Sequence, residues 1–155
     1  MPHIHEKIDF TVEVFVVHKN KVFLRKHDKY KIWLAVGGHI ELDEDPNEAA
    51  IREAKEEAGF DVTLYTDARI WKEKTDEERD LIPPRFLNRH RISPTHEHVT
   101  MIFFGTVTND TVTINEGLDD RSDEYGWFSP EELKSLELKE HIRLYAETAL
   151  TTLAS

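Results

Sequence analysis

Three glutamates, Glu53, Glu56 and Glu57, stand close together in the sequence. If this segment is helical, positions three and four residues apart lie on one face, so the three carboxylates stack together. Like charges at this spacing repel each other, and Lys55 lies on a different face. Mg²⁺ prefers oxygen ligands and would relieve this repulsion. The spacing therefore predicts a magnesium site on a helix.

The predicted helix runs from about residue 46 to residue 58. Asp45 precedes Pro46, and Glu48 follows three residues after Asp45. This pattern is typical of a helix start, because the aspartate and the glutamate accept backbone N–H groups and proline is favoured in the first turn. Gly59 is the kind of residue that ends a helix in the left-handed conformation. At about 100° per residue, Ile51 and nearby alanines would share the inward face.

A solvated, charge-rich helix face is the simpler interpretation of these acids. Arg52 lies one turn from both Glu48 and Glu56, so it could orient and partly neutralise them. Gly37 and Gly38 precede the helix, and we expect them to form a turn that brings backbone close to the acids. The glycines and the stacked charges together favour the metal site.

Residues 38–60 resemble the Nudix box of the MutT-like pyrophosphohydrolases. The resemblance covers 23 of the 155 residues, with fixed spacings between several residue types. It departs from the family at Ala54, where a larger aliphatic residue is usual, and at Val36, where many members have proline. The matching positions are Gly38, Glu44, Arg52, Glu53, Glu56, Glu57 and Gly59.

The resemblance implies the roles of the box residues. Glu56 and Glu57 match the acids found most consistently on the metal, often joined by the carbonyl of Gly38. Glu53 matches a position that binds metal or orients the site, and Arg52 one that holds the glutamates. The general base differs among members, so Glu57, Glu53 and an acid outside the box all stay open.

The resemblance also implies an enzyme and its fold. The fold is an α/β/α sandwich with a mixed β-sheet, and the box forms a loop–helix–loop against that sheet. The reaction is hydrolysis of a phosphoanhydride bond with Mg²⁺, or Mn²⁺ as a substitute. The substrate is a nucleoside diphosphate linked to another moiety, such as a nucleoside triphosphate or a nucleotide sugar. The signatures that mark ADP-ribose, dinucleoside polyphosphate and NADH hydrolases are absent.

Two other functions share this fold. A non-catalytic nucleotide or nucleotide-sugar sensor often has a degraded box and an added DNA-binding domain, whereas here the acids are intact and no extra domain fits. An isopentenyl diphosphate isomerase-like enzyme relies on a cysteine, and this chain has none. The hydrolase is therefore the favoured function.

Several residues outside the box are candidates for binding substrate. Most are cationic and could face phosphates, and one is aromatic. Phe10, Tyr30 and Trp71 are further aromatic residues that could stack on a base, although each is more often a core residue. The predicted substrate-binding residues are Arg25, Lys26, His39, Arg85, Phe86 and Arg89.

Glu97 is the best candidate outside the box for a further metal ligand or general base. A loop carboxylate in solvent is an equally good interpretation. His96 and His98 flank Glu97, and on a strand they would point away from it. Two histidines without a third nearby ligand make a weak zinc site, so we expect them at the surface or near substrate. His39, which follows the glycines, is either a substrate contact or an exposed loop residue.

The composition indicates one globular domain spanning residues 1–155. The hydrophobic content of 39% is enough for a sizeable core. There is no cysteine for disulfides and no apolar run long enough to span a membrane, so a cytoplasmic protein is expected. The net charge of −11 disfavours nucleic-acid binding. Homodimers are common in the family, but nothing in the sequence proves one.

The remaining elements follow from local patterns. Residues 19–20 should form a hairpin turn, and residues 72–94 read as a long polar loop. Helices are expected after Ser129 and over residues 138–153. The predicted strands are 10–17, 22–26, 33–36, 61–71, 99–107, 111–114 and 125–128.

Overall fold

A mixed β-sheet with helices on both faces forms the fold, as the sequence predicts. The computed structural model describes residues 4–27, 31–114 and 124–154. In these ranges no helix is long and apolar enough to cross a membrane. The strands are β1 Ile8–His18, β2 Lys21–Lys26, β3 Trp33–Leu34, β4 Val36–His39, β5 Thr63–Leu64, β6 Phe86–Ser93, β7 His96–Thr106 and β8 Glu124–Phe128, and the helices are α1 Pro46–Ala58, α2 Pro130–Lys134 and α3 Glu140–Thr152.

Strand β1 is the centre of the sheet. It runs parallel to β7 over ten residue pairs on one side. On its other side it pairs antiparallel with β2 near one end and with β4 near the other. Strands β5 and β6 pair with the far edge of β7, and β3 and β8 pair with β2. The glycine-bearing strand β4 therefore lies directly beside the central strand.

Both faces of β1 are buried because a helix layer covers each of them. Val12, Val14 and Val16 pack in the cluster that contains the alanines of α1. Phe15 and Val17 point to the opposite face and pack with residues of α2 and α3. Successive side chains of a strand point to opposite faces, so a strand covered on both sides has a continuous apolar run.

Helix α1 starts and ends as the sequence predicts, but its buried face differs. The Asp45 side chain accepts a hydrogen bond from the Glu48 N–H, and the Glu48 side chain accepts one from the Asp45 N–H. Gly59 ends the helix with a φ of 74°. The prediction that Ile51 packs inward is wrong, because its side chain is 45% exposed. Small and acidic residues occupy the inward face instead. The buried residues of α1 are Ala49, Ala50, Glu53, Ala54, Glu57 and Ala58.

Gly37 and Gly38 lie in a strand, so the predicted turn is wrong. They pair with Glu13 and Val12 of β1. A Cβ atom on Gly37 would lie 2.1 Å from the backbone oxygen of Val12. A Cβ atom on Gly38 would lie 2.3 Å from the Glu53 carboxylate. Glycine is needed at position 37 because backbone fills the side-chain space, whereas a side chain at position 38 would displace the Glu53 carboxylate.

Three predicted loops and strands need correction. The strand predicted at residues 61–71 is limited to Thr63–Leu64, which pairs with the edge of β7. The loop predicted at residues 72–94 contains β6, a mainly exposed edge strand without an alternating apolar pattern. Residues 111–114 form no strand, and Thr113 there donates its N–H to the carbonyl of Ala58 at the end of α1.

The other predicted elements are confirmed. Lys19 and Asn20 have φ values of 49° and 58°, which are typical of a two-residue hairpin turn. The remaining strand predictions fall on β1, β2, β7 and β8, and residues 33–36 cover β3 and the start of β4. Helix α2 begins with a capping box on Ser129, and α3 covers most of the predicted closing helix.

The corrected face of α1 can be tested with two isoleucines on helices. We expect Ile51→Ala to change the free energy of unfolding by less than about 0.5 kcal/mol, because the side chain is largely in solvent. Ile142→Ala, the matched control, should lower it by about 2–5 kcal/mol, because Ile142 is only 1% exposed. Urea unfolding measures both. A large loss for Ile51→Ala would contradict the exposed position.

Candidate functional site

One guanidinium group, that of Arg52, is hydrogen-bonded to three acidic side chains. Arg52 donates from Nε and Nη2 to Glu44 at 2.9 and 2.6 Å, which is a bidentate pair. Its Nη1 lies 3.0 Å from Glu53 and 3.1 Å from Glu56. Its Nη2 also donates to the carbonyl oxygen of His39 at 3.0 Å. Arg52 therefore links the acidic loop, the helix and strand β4.

The pKa values in this cluster follow from burial and from Arg52. Hydrogen bonding to Arg52 lowers the pKa of Glu44, and the bond to Glu44 raises the pKa of Arg52. Burial raises the pKa of Glu53 to about 7, although Arg52 opposes the shift. The neighbouring Glu56 and Glu44 add to the rise. A bound cation would therefore stabilise the ionised carboxylates of this cluster.

Glu57 is held by two donors at the inner end of the cluster. The Gly37 N–H donates to its Oε1 at 2.6 Å. The Arg25 guanidinium lies 2.5 Å from its Oε2, and both side chains are more than 90% buried. Arg25 is a predicted phosphate contact, and this assignment stays a prediction because its guanidinium is paired with Glu57. A buried ion pair of this kind fixes the position of the carboxylate.

The box residues fit a hard divalent cation. Glu53 and Glu57 are buried, while the side chain of Glu56 is 45% exposed and open to a ligand. The absent side chain of Gly38 leaves the space that the Glu53 carboxylate occupies. The donor atoms offered here are all oxygens, which is the set that Mg²⁺ and Mn²⁺ prefer. These residues could therefore hold Mg²⁺.

Glu13 is an acidic residue near the site that sequence reasoning missed. It pairs with Gly37 across the sheet. Its Oε1 is buried and has no hydrogen-bond partner among the described residues. Burial raises its pKa to about 7, against the effects of the Ala35 backbone and Arg25. The signal was available, because Glu13 interrupts the apolar run of β1.

A histidine cluster lies on the same sheet. His39 and His96 are 4% and 5% exposed, so the expectations of an exposed loop for His39 and a surface position for His96 are wrong. Both lie 3.2 Å from the Oδ2 of Asp9, a buried acid that sequence reasoning also missed. Burial lowers the pKa of His98 to about 4, and His39 contributes to the shift.

Glu97 is bound by an arginine in the structure. Arg89 donates to it through Nε and Nη2 at 2.9 and 3.1 Å. Hydrogen bonding to Arg89, with a contribution from Arg91, lowers the pKa of Glu97. His98 pairs with Asp9 across the sheet and contacts His96, so the predicted alternation with Glu97 agrees with the strand geometry. The roles of Glu97 and Arg89 in the site remain predictions.

The other predicted contacts lie at different places along the sheet. Arg85 is paired with Asp67 at 2.8 Å. Phe86 packs on Tyr145 of α3, with ring centroids 4.7 Å apart. Lys26 is the last residue of β2. The roles of these three residues in the site also remain predictions.

Two of the aromatic candidates are open to solvent. Phe10 is 44% exposed and Trp71 is 41% exposed, so neither is a core residue. Tyr30 lies outside the described residues. Exposure leaves stacking possible at Phe10 and Trp71 but does not indicate a ligand there.

Comparison with known proteins identifies the family. The sequence matches the NUDIX domain over residues 8–148. The chain belongs to the NUDIX domain family. A NUDIX-family hydrolase from Clostridium perfringens is 38% identical, with a TM-score of 0.80 over 94% of this chain and 97% of that one. The Nudix hydrolase predicted from the box, acting on pyrophosphate bonds, is thus confirmed as the class of enzyme.

Two further relatives have a lower identity or match a shorter part of this chain. A MutT protein from Methanosarcina mazei has a TM-score of 0.68 over 98% of this chain and 99% of that one, but 18% identity, which supports the Nudix fold alone. A protein of Lactococcus lactis named a probable DHNTP pyrophosphohydrolase is 37% identical over 57 residues. That match covers 37% of this chain and 34% of the relative.

The buried carboxyl of Glu13 predicts a pH-dependent loss of stability. The folded protein keeps its proton up to about pH 7, whereas the unfolded chain releases it near the ordinary value of 4.5. The folded state therefore loses stability as pH rises from 4.5 to 7, by an amount on the order of 3 kcal/mol. Urea unfolding at pH 5 and pH 8 measures this change. Glu13→Gln should remove that part of the pH dependence.

The exposed Glu41→Gln is the matched control and should behave as the unaltered protein. An equal change in stability between pH 5 and pH 8 in the unaltered protein and Glu13→Gln would show that Glu13 is ordinarily ionised in the folded state.

Proposed function

We propose that this Nudix enzyme hydrolyses a phosphoanhydride bond with Mg²⁺ as its cofactor and Mn²⁺ as a substitute. The substrate is a nucleoside diphosphate linked to another moiety, with nucleoside triphosphates and nucleotide sugars as leading cases. The products are a nucleoside monophosphate and a second product that carries the remaining phosphate. No nucleic-acid substrate is included, because the net charge is −11.

The observation that carries the proposal is the arrangement of the box carboxylates. Glu53 and Glu56 share the Nη1 of Arg52, and Glu57 follows on the next position of the same helix. Glu53 and Glu56 repel each other as like charges, and a bound cation would relieve this repulsion. Together with the carbonyl of Gly38, these three residues would hold the metal.

A bound Mg²⁺ would neutralise phosphate charge and activate a water molecule for attack on phosphorus. The protein's own contribution is to position the ligands before substrate arrives. Arg52 orients Glu53 and Glu56 from one side, and the Arg25 guanidinium and Gly37 N–H fix Glu57 from the other. Rigid ligands need little reorganisation in the transition state, which is the main source of electrostatic catalysis.

Three acids are candidates for the general base. Glu53 and Glu57 lie in the box, and Glu97 lies outside it. Glu97 would have to leave Arg89 to accept a proton, because both of its oxygens are bonded there. Glu57 is likewise bonded at both of its oxygens, by the Gly37 N–H and by Arg25, while Glu53 is bonded to Arg52 through its Oε1.

The comparisons add a candidate to the range of substrates. The Lactococcus relative is named for DHNTP, although the match covers only 34% of its length. DHNTP therefore belongs in a substrate panel beside nucleoside triphosphates and nucleotide sugars. The alternative function is a non-catalytic nucleotide or nucleotide-sugar sensor, and the intact acids of the box weigh against it.

The proposal predicts turnover that depends on both metal and Glu56. We expect at least one compound of the panel to be hydrolysed with Mg²⁺ or Mn²⁺ and none with EDTA, with products resolved by chromatography. Oxygen-18 water would show which phosphorus is attacked. Glu56→Gln should lower kcat by at least about 100-fold while the fold is kept, because its side chain is half-exposed and carries no buried partner.

Glu56 is a cleaner test than Glu57, because Glu57→Gln would remove one partner of a buried ion pair with Arg25, which lowers stability. The matched control is Glu73→Gln, an exposed glutamate outside the box. Equal kcat in Glu56→Gln and Glu73→Gln would remove the box from the mechanism. Tight binding of a nucleotide without any turnover would favour the sensor.

A further inference from the structure

A second group of potential metal ligands lies on the opposite face of the sheet from the box. Strand β4 carries both groups. The missing Cβ of Gly38 points at Glu53, and His39 follows it, so the His39 side chain points to the other face. On that face, the pairing of β1 with β7 places His98 opposite Asp9. The pairing of β1 with β4 places His39 opposite Thr11, two residues along β1 from Asp9. Three strands thus bring one acid and two histidines together.

The distances within this group suit coordination of a single ion. One donor atom from each of Asp9, His39 and His98 lies within 4.8 Å of the other two. The His39 Nε2 lies 3.2 Å from the Asp9 Oδ2, and the His39 and His98 rings are 5.0 Å apart. A metal–nitrogen bond is about 2.0–2.1 Å long, so donor atoms on one ion lie closer than 4.8 Å and small side-chain movements suffice.

Neighbouring groups hold the aspartate in position. The backbone N–H of His5 donates to the Asp9 Oδ1 at 2.6 Å. The His96 Nε2 lies 3.2 Å from the Oδ2, while its Nδ1 lies 3.1 Å from the carbonyl oxygen of Glu6. Metal ligands in proteins are usually oriented by such an outer layer of hydrogen bonds. His96 is therefore a positioning residue.

We propose that Asp9, His39 and His98 bind a divalent transition metal of the zinc class. Two imidazoles and one carboxylate are typical ligands of Zn²⁺, Co²⁺ and Fe²⁺, and they leave positions for water. This set differs from the all-oxygen box, which suits Mg²⁺. The ion would tie the starts of β1 and β7 to β4, directly beside Gly38, and so would stabilise the strand that borders the box.

The competing explanation is a hydrogen-bonded network of imidazoles and a carboxylate without metal. Titration of untagged protein with Co²⁺ alone separates the two, because Co²⁺ in a four- or five-coordinate site with imidazole ligands absorbs visible light far more strongly than the six-coordinate aqueous ion. We expect one equivalent to bind to the unaltered protein and to Glu56→Gln. His98→Gln should weaken this binding at least about 10-fold, and His18→Gln, about 30 Å away along β1, should not.

Thermal unfolding with Zn²⁺ alone provides a second readout. At a free Zn²⁺ concentration about 100 times Kd, the Tm of the unaltered protein and of Glu56→Gln should rise by roughly 5–10 °C. The Tm of His98→Gln should not rise. If His98→Gln fails to fold, ring nitrogen NMR of the unaltered protein replaces it, and one equivalent of Zn²⁺ should shift two histidine rings and leave His18 unchanged.

Two results would overturn the proposal. The first is Co²⁺ binding that survives in His98→Gln and is lost in Glu56→Gln, because the ion would then belong to the box. The second is the absence of any histidine-dependent binding in the unaltered protein, with no change in Tm or in the ring signals. The cluster would then be a hydrogen-bonded network only.

Discussion

The site depends on holding several carboxylates close together with fewer arginines than there are carboxylates. Arg52 donates hydrogen bonds to Glu44, Glu53 and Glu56 through a single planar guanidinium group. The buried Arg25 forms an ion pair with Glu57. Arginine is suited to this role because its guanidinium presents five donors in a fixed plane. The result is a set of carboxylates that are already oriented, with excess negative charge left for a metal and the phosphate it binds.

Strand β4 connects this cluster to the rest of the molecule. Its glycines leave room for Val12 on one side and Glu53 on the other, and the Gly37 N–H orients Glu57. The carbonyl of His39 accepts from Arg52, while the ring of His39 lies at Asp9. Any change in the pairing of β4 with β1 would therefore move ligands on both faces of the sheet.

The helix of the box could be predicted from sequence because its signals are local. Asp45, Glu48 and Gly59 determine its ends through contacts within a few residues. The helical spacing placed Ile51 on one inward face with Ala54 and Ala58; the two alanines are buried, whereas Ile51 is 45% exposed. Four alanines and two glutamates are buried on that face instead.

Contacts between distant segments could not be predicted. The pairing of Arg25 with Glu57 and the meeting of Asp9, His39 and His98 depend on which strands are neighbours, and no local pattern specifies this. Strand β6 was missed for a different reason, since an edge strand that is mainly exposed has no buried face to impose apolar alternation. In contrast, Glu13 was visible in the sequence as an acid that interrupts the apolar run of β1.

The central claim is that the box carboxylates bind a divalent ion together. Mn²⁺ binding, measured from the electron paramagnetic resonance signal of the free ion, tests it without a known substrate. Mn²⁺ prefers oxygen ligands, so it should favour the box over the histidine cluster. We predict that Glu56→Gln weakens Mn²⁺ binding at least about 10-fold and that His98→Ala does not. Equal affinity in Glu56→Gln and the unaltered protein would contradict the claim.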